Sequence, residues 1–283
     1  MEKIMKKIMT KNFLISVLQL GAAGLWLALM GSASWAQEAA PSSPGKLLPL
    51  AGVRPGGNST FWWMPREGAS HTVLLISGGA GGMGYDGKQP ASDNFLIRTR
   101  DLFAAQGFNV AILGLAADMR NLNEAARISA DHARDVLAVV QSVQQKSPVP
   151  LWLVGTSMGT ISAASTAILD QGQTVAGVVL TSGFSPVILR LQDGPQGKQG
   201  LEAIKVPVLT LHHKDDACRI TPARGVAQIV PALSASPVKK LILVEGGGPP
   251  SGDPCQPRGY HGFVGMEPQA VALIADWIKQ PQN

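Results

Sequence analysis

One serine of this chain stands where it can become a nucleophile. Ser157 lies in Gly155-Thr156-Ser157-Met158-Gly159, directly after the apolar run 151–154 and before the small-residue stretch 161–170. That order predicts a buried strand, a sharp turn with the serine at its apex, and a helix stopped near Gly172. Such a turn brings its neighbours close together, which asks for glycine at both flanking positions. A serine hydroxyl attacks a carbonyl only when a base takes its proton, and the base needs a third group to hold its tautomer. The competing reading is a Gly/Ser loop that merely joins two elements, so the partners decide.

Five histidines are candidates for the base. His71 precedes a strand, at the wrong end of a sheet for this purpose. His132 lies inside the long helical pattern 124–145, as a surface or packing residue. His212 and His213 close a strand, where at least one is structural. His261 sits in Arg258-Gly259-Tyr260-His261-Gly262-Phe263, between the last strand and the last helix. A glycine-flanked loop there can carry an imidazole over a strand-end serine, which makes His261 the base. The acid is sought in His212-His213-Lys214-Asp215-Asp216, with Asp216 preferred to Asp215 and Asp193 in reserve. The order Ser157, Asp, His261 is the one expected for this motif. Two amides complete the set for a developing oxyanion. One is Met158, at a helix start where free amides converge. The other comes from Gly79 or Ala80 in the glycine-rich loop 78–85.

These groups need a frame that brings strand ends together. Continuous apolar runs at 73–77, 109–113, 151–154, 175–182, 206–212 and 240–245 alternate with helical patterns at 94–106, 124–145, 161–170 and 268–279, and a short helix follows Pro222. A hairpin of 47–53 with 60–64 precedes them. Strands alternating with helices predict an α/β protein, a mostly parallel sheet of about eight strands covered on both faces. Such sheets carry their reactive groups at the carboxyl ends of the strands.

The first 36 residues read as a secretory signal peptide: Lys3, Lys6, Lys7 and Lys11, an apolar run 13–30, then a small-x-small site at Ser34-Trp35-Ala36. An uncleaved anchor is the alternative for a run of that length. Residues 37–46 form a polar flexible lead, and 47–283 the globular domain. The formal charge of +5 falls to +2 once the leader's four lysines and Glu2 are set aside. No basic patch remains for nucleic acid, and after cleavage no stable membrane anchor is expected. The protein is then periplasmic or secreted. In an oxidising compartment the two cysteines, Cys218 and Cys255, form one disulfide, worth on the order of 4 kcal/mol by loop entropy. It would tie the acid loop to the base loop. Two separate buried thiols are the alternative.

Gly79-x-Gly81-x-x-Gly84 has the letters of a dinucleotide site. No helix is expected to open at its third glycine and no clear strand-end acid follows, so no cofactor is expected. The cysteine and histidine spacings suggest no metal site either.

With these residues in hand, the chain resembles the α/β-hydrolase superfamily from about residue 50 onward. The resemblance rests on Gly155-Thr156-Ser157-Met158-Gly159, His212-His213-Lys214-Asp215-Asp216 and Gly259-Tyr260-His261-Gly262. It implies a sheet of the eight-strand type, a Ser157–His261–Asp216 triad and an acyl-enzyme mechanism. The superfamily's His-Gly-x-x-Asp spacing, laid over His212, falls on Asp216. Two departures stand out. Ser77-Gly78-Gly79 replaces the usual His-Gly of the oxyanion loop, and the 183–205 region is too short for a large helical lid. The expected function is that of an exported serine esterase acting on a small-molecule or other ester substrate. A peptidase or acyltransferase would share the triad, and a non-catalytic binding protein could share the scaffold. Tyr85, Phe184 and Trp62 are guesses for the pocket lining, and Trp62 and Trp63 read as strand packing before a binding platform.

Overall fold

A computed structural model of the protein describes residues 45–183 and 200–283. The leader, most of the polar lead, Phe184 and Asp193 lie outside the described residues.

Eight strands form one sheet: β1 (Lys46–Leu50), β2 (Ser59–Met64), β3 (His71–Ile76), β4 (Phe108–Leu113), β5 (Leu151–Thr156), β6 (Gly177–Thr181), β7 (Val208–His213) and β8 (Lys239–Val244). The helices are α1 (Phe95–Arg98), α2 (Arg100–Ala105), α3 (Glu124–Ile128), α4 (Ala130–Lys146), α5 (Gly159–Asp170), α6 (Ile229–Ala232) and α7 (Glu267–Lys279). The spatial order is β1-β2-β4-β3-β5-β6-β7-β8. β1 and β2 pair antiparallel, as do β2 and β4, while all pairs from β4 to β8 are parallel. Every parallel strand therefore ends at the same rim. β1 begins at Lys46, which pairs with Trp63, one residue before the expected start of the hairpin.

Alternation along the strands explains why the runs are continuously apolar. Leu74, Ile76, Leu151 and Leu153 join one buried cluster with Val136, Val139 and Val143 of α4 and Ile161 and Ala164 of α5. Val73, Leu75, Trp152 and Val154 join the other, with Phe95, Phe103 and, from α7, Val271, Ile274 and Trp277. Both faces of the central strands are buried, so their side chains are mostly apolar. Trp62 and Trp63 belong to this packing, one on each face.

Two helical patterns are each broken once. The 94–106 pattern divides at Thr99, whose hydroxyl donates to the Phe95 carbonyl at 2.7 Å. The 124–145 pattern divides at Ser129, which leaves helical geometry (φ −70°, ψ 145°) and accepts the His132 amide with its side chain. Serine at that point serves better as the cap of α4 than as the interior of a longer helix. The turn it makes aims Arg127 of α3 beneath the β3 loop.

Candidate functional site

Ser157 follows β5 with φ at +54°, a left-handed conformation that a non-glycine residue adopts at a cost. The turn is held by its amide, which donates to Thr181 O at 2.9 Å. The flanking glycines are obligatory for steric reasons. A Cβ on Gly155 would stand 2.5 Å from Gly159 O, and one on Gly159 would stand 2.2 Å from Ile76 O. The β3 loop passes equally close, since a Cβ on Gly78 would lie 2.7 Å from the Ser157 Cβ and 3.3 Å from the Met158 amide nitrogen. Met158 itself is right-handed helical (φ −57°, ψ −23°) at the head of α5. Strand, tight turn and helix are thus present as the sequence implied.

His261 lies in a short 3₁₀ turn, Tyr260–Gly262, between β8 and α7. Its Nδ1 is 2.8 Å from Asp216 Oδ2, and Thr221 Oγ1 lies 3.1 Å from the same nitrogen. An ionised carboxylate only accepts, so Nδ1 carries the proton and Nε2 is left with its lone pair. That Nε2 is buried and has no hydrogen-bond partner among the described residues. His261 and Ser157 line one cavity of about 300 Å³, with the loop Gly78–Gly81 along another wall.

Asp216 is the carboxylate that the fold brings to His261; Asp215 is exposed. Burial pushes the Asp216 carboxyl up, but the imidazoles of His212 and His261 and the Cys218 amide outweigh burial and hold it at about 2. His212 Nε2 stands 3.3 Å from Asp216 Oδ2, a close polar contact at the margin of hydrogen-bond alignment. His213 is structural. Its Nε2–H donates to Gly246 O at 2.9 Å, its Nδ1 accepts the Asp215 amide, and its ring stacks on Tyr260 at 4.3 Å. His132 is likewise a packing residue, buried in α4 with Nε2 2.9 Å from Ser162 Oγ. His71 starts β3, at the rim away from the cavity.

Cys218 and Cys255 are bonded, their Cα atoms 4.5 Å apart across 37 residues of sequence. The bridge joins the loop of Asp216 to the loop of His261, and Cys255 lines the cavity. Three further contacts grip the loop of His261. Ser182 Oγ donates to the His261 carbonyl at 2.7 Å. Arg98 donates to the Gly262 carbonyl at 2.6 Å and to Glu267 at 3.0 Å. Arg258 pairs at 2.7 Å with Asp93, which lines the cavity. Ser182, Arg98, Arg258 and Asp93 had no sequence signal of their own, because each partner is remote in the chain.

Of the guessed pocket residues, Trp62 is a core side chain packed 6.2 Å from Tyr85, and neither lines the cavity. The cavity is lined instead by glycines and small or polar residues, Ser77, Ser92, Asn94 and Gln256 among them. The Gly79-x-Gly81-x-x-Gly84 stretch is a turn, and the next helix opens only at Phe95. Among the described residues no three His, Cys, Asp or Glu side chains form a metal-binding group.

This strand order, with a strained serine after the fifth strand and the acid and histidine beyond the seventh and eighth, is the α/β-hydrolase fold. Solved structures share it. Dienelactone hydrolase from Anabaena variabilis superposes with a TM-score of 0.59 at 13% identity, covering 84% of this chain and 98% of that one. A cold-adapted esterase from an Arctic intertidal metagenomic library gives 0.56 at 16%, covering 84% and 94%. An α/β serine hydrolase from Xanthomonas campestris, described as without lid, gives 0.52 at 15%, covering 82% and 95%. No family model matches the chain, and no curated protein matches it in sequence.

Proposed function

We propose that this protein is a serine hydrolase that cleaves carboxylic esters through an acyl-enzyme. The observation that carries the reading is the buried, unpartnered Nε2 of His261 on the same cavity as Ser157, with Nδ1 fixed by Asp216. The Ser157 hydroxyl attacks the ester carbonyl carbon as His261 Nε2 takes its proton. Asp216 stays ionised and stabilises the imidazolium that forms. The tetrahedral oxyanion is met by main-chain amides, Met158 from α5 and Gly79 or Ala80 from the β3 loop. Collapse breaks the C–O bond to the alcohol, which leaves with the proton from His261. Water, deprotonated by the same imidazole, then attacks the acyl-enzyme and frees the acid and Ser157.

The hydrolase and esterase descriptions of proteins sharing this fold support the reading. The leader supports export, with cleavage after Ala36, and the Cys218–Cys255 bridge suits an oxidising periplasm or exterior. Labelling with a serine-directed fluorophosphonate tests the chemistry: wild type is labelled and Ser157→Ala is not. Equal labelling of the two removes the proposal. Intact mass of the exported protein tests the leader, and a retained Met1 excludes cleavage.

A further inference from the structure

Arg127 is the bulkiest of the fully buried side chains, and no carboxylate among the described residues pairs with it. Burial alone pulls its pKa down, to about 10, which leaves it a cation at neutral pH. Placing a guanidinium there is costly, so its partners are informative. Nε donates to the Leu122 carbonyl at 3.2 Å and Nη1 to Ser162 Oγ at 2.9 Å. Nη2 reaches the carbonyls of Ser77 at 3.3 Å and Gly79 at 3.1 Å. Ser162, already accepting from Arg127, spends its own proton on His132 Nε2; burial first, then Arg127 and Arg54, hold His132 neutral with its pKa near about 3. The cluster therefore has no anion to absorb the charge, and two of its carbonyl acceptors belong to the loop beside Ser157.

The geometry of the peptide unit gives that contact a direction. In a trans peptide the carbonyl and the N–H point to opposite sides. With the Gly79 oxygen drawn inward to Arg127, the N–H of Ala80 faces the other way. Ala80 is exposed and lines the cavity. The next peptide is fixed as well, because Leu122 N donates to the Ala80 carbonyl at 2.7 Å. The Gly79 amide belongs to a different peptide, whose oxygen is taken by Gly81 N at 3.0 Å in a local turn.

We propose that Arg127 is a positioning residue for the oxyanion site: it holds the Gly79–Ala80 peptide so that the Ala80 amide, rather than that of Gly79, meets the oxyanion. The cation on the carbonyl also polarises that peptide and strengthens its N–H as a donor. Arg127 touches no reacting atom and acts only through the backbone. The inference rests on the serine-hydrolase reading above.

The test compares wild type, Arg127→Lys and Arg127→Met on p-nitrophenyl acetate and with a trifluoromethyl ketone, whose hemiketal on Ser157 carries an ionisable oxygen followed by NMR. Losing one oxyanion donor costs about 10²-fold or more in kcat. Arg127→Met is expected to lose about that much with KM little changed, and Arg127→Lys to recover part of it. The hemiketal oxygen should ionise about one pH unit higher in Arg127→Met, a tenfold weaker oxyanion. A merely structural role would leave that ionisation in place. In wild-type protein, independent of how the variants fold, the Ala80 amide proton should move downfield on adduct formation and the Gly79 proton should not. Unchanged ionisation in the variants, or a response at Gly79 in place of Ala80, overturns the assignment while leaving the hydrolase reading intact. Absence of any adduct on wild-type Ser157 overturns both.

Discussion

The main-chain amide of Cys218 donates to Asp216 Oδ1 at 2.9 Å, while the Cys218 sulfur is bonded to Cys255 on the cavity wall. One residue thus orients the acid and tethers the segment that carries His261. The loops it joins are irregular, so their relative position depends on such cross-links more than on the sheet beneath them.

Cutting the bridge should therefore show first in turnover. Cys255→Ala, or mild reduction, is expected to lower kcat roughly tenfold, since catalytic geometry is lost over displacements of about 1 Å. The loop-entropy loss is about 4 kcal/mol or less, and the two-faced core should keep the sheet folded at 25 °C. Stopped assays on ester substrate, read beside circular dichroism, check this. Unchanged kinetics in the reduced protein would sink the idea.

Asp216 makes a prediction about acid stability. Its folded pKa of about 2 lies below the ordinary 3.8, so the unfolded chain takes up the proton first as pH falls. Its contribution is fully present above about pH 4 and disappears as pH drops toward 2, by roughly 2 kcal/mol at most. Denaturant unfolding of wild type and Asp216→Asn from pH 6 to pH 2 should show wild type losing this increment and the variant lacking it. The exposed carboxyls of Asp86, Asp118 and Glu245 are also lowered, by hydrogen bonds from backbone amides, Arg54 and Lys214 respectively. They are common to both proteins and cancel in the difference. Parallel curves would reject the assignment.

The left-handed Ser157 separates stability from activity. Ser157→Ala keeps a Cβ at φ +54°, whereas Ser157→Gly releases it. Both should be inactive toward esters, yet the glycine variant should be the more stable of the two by about 1 kcal/mol. Thermal unfolding of the pair decides, and an alanine variant as stable as the glycine variant would mean that the turn is not strained.

Much of this arrangement was legible because the chemistry and the strand ends coincide in sequence. Ser157 follows an apolar run, Asp216 closes the β7 segment, and His261 lies between β8 and α7, so topology alone sends all three to one rim. Residues acting across the fold left no such trace. Ser182 meets His261 across 79 positions and Arg98 meets Gly262 across 164, distances at which no local pattern survives. Arg127 falls inside the 124–145 helical pattern with no signal of its own burial, and the structure places it in α3, before the break at Ser129. That break did have a signal, a serine followed by Asp131 in the next turn, but the apolar spacing through Ile128 and Val136 masked it. The pocket lining was not legible for another reason: of the aromatic residues considered, Trp62 is committed to the core, as its place in a strand implied, and Tyr85 lies off the cavity.

The shared direction of the parallel strands has a practical side. Asn283 accepts the amide of Lys239, the residue that opens β8, so Asn283 sits at the rim opposite the cavity. A purification tag, a surface linker or a fused domain appended there would leave on the far side of the sheet. Immobilised through that point, the protein would present the mouth beside Ser157 to the bulk solution.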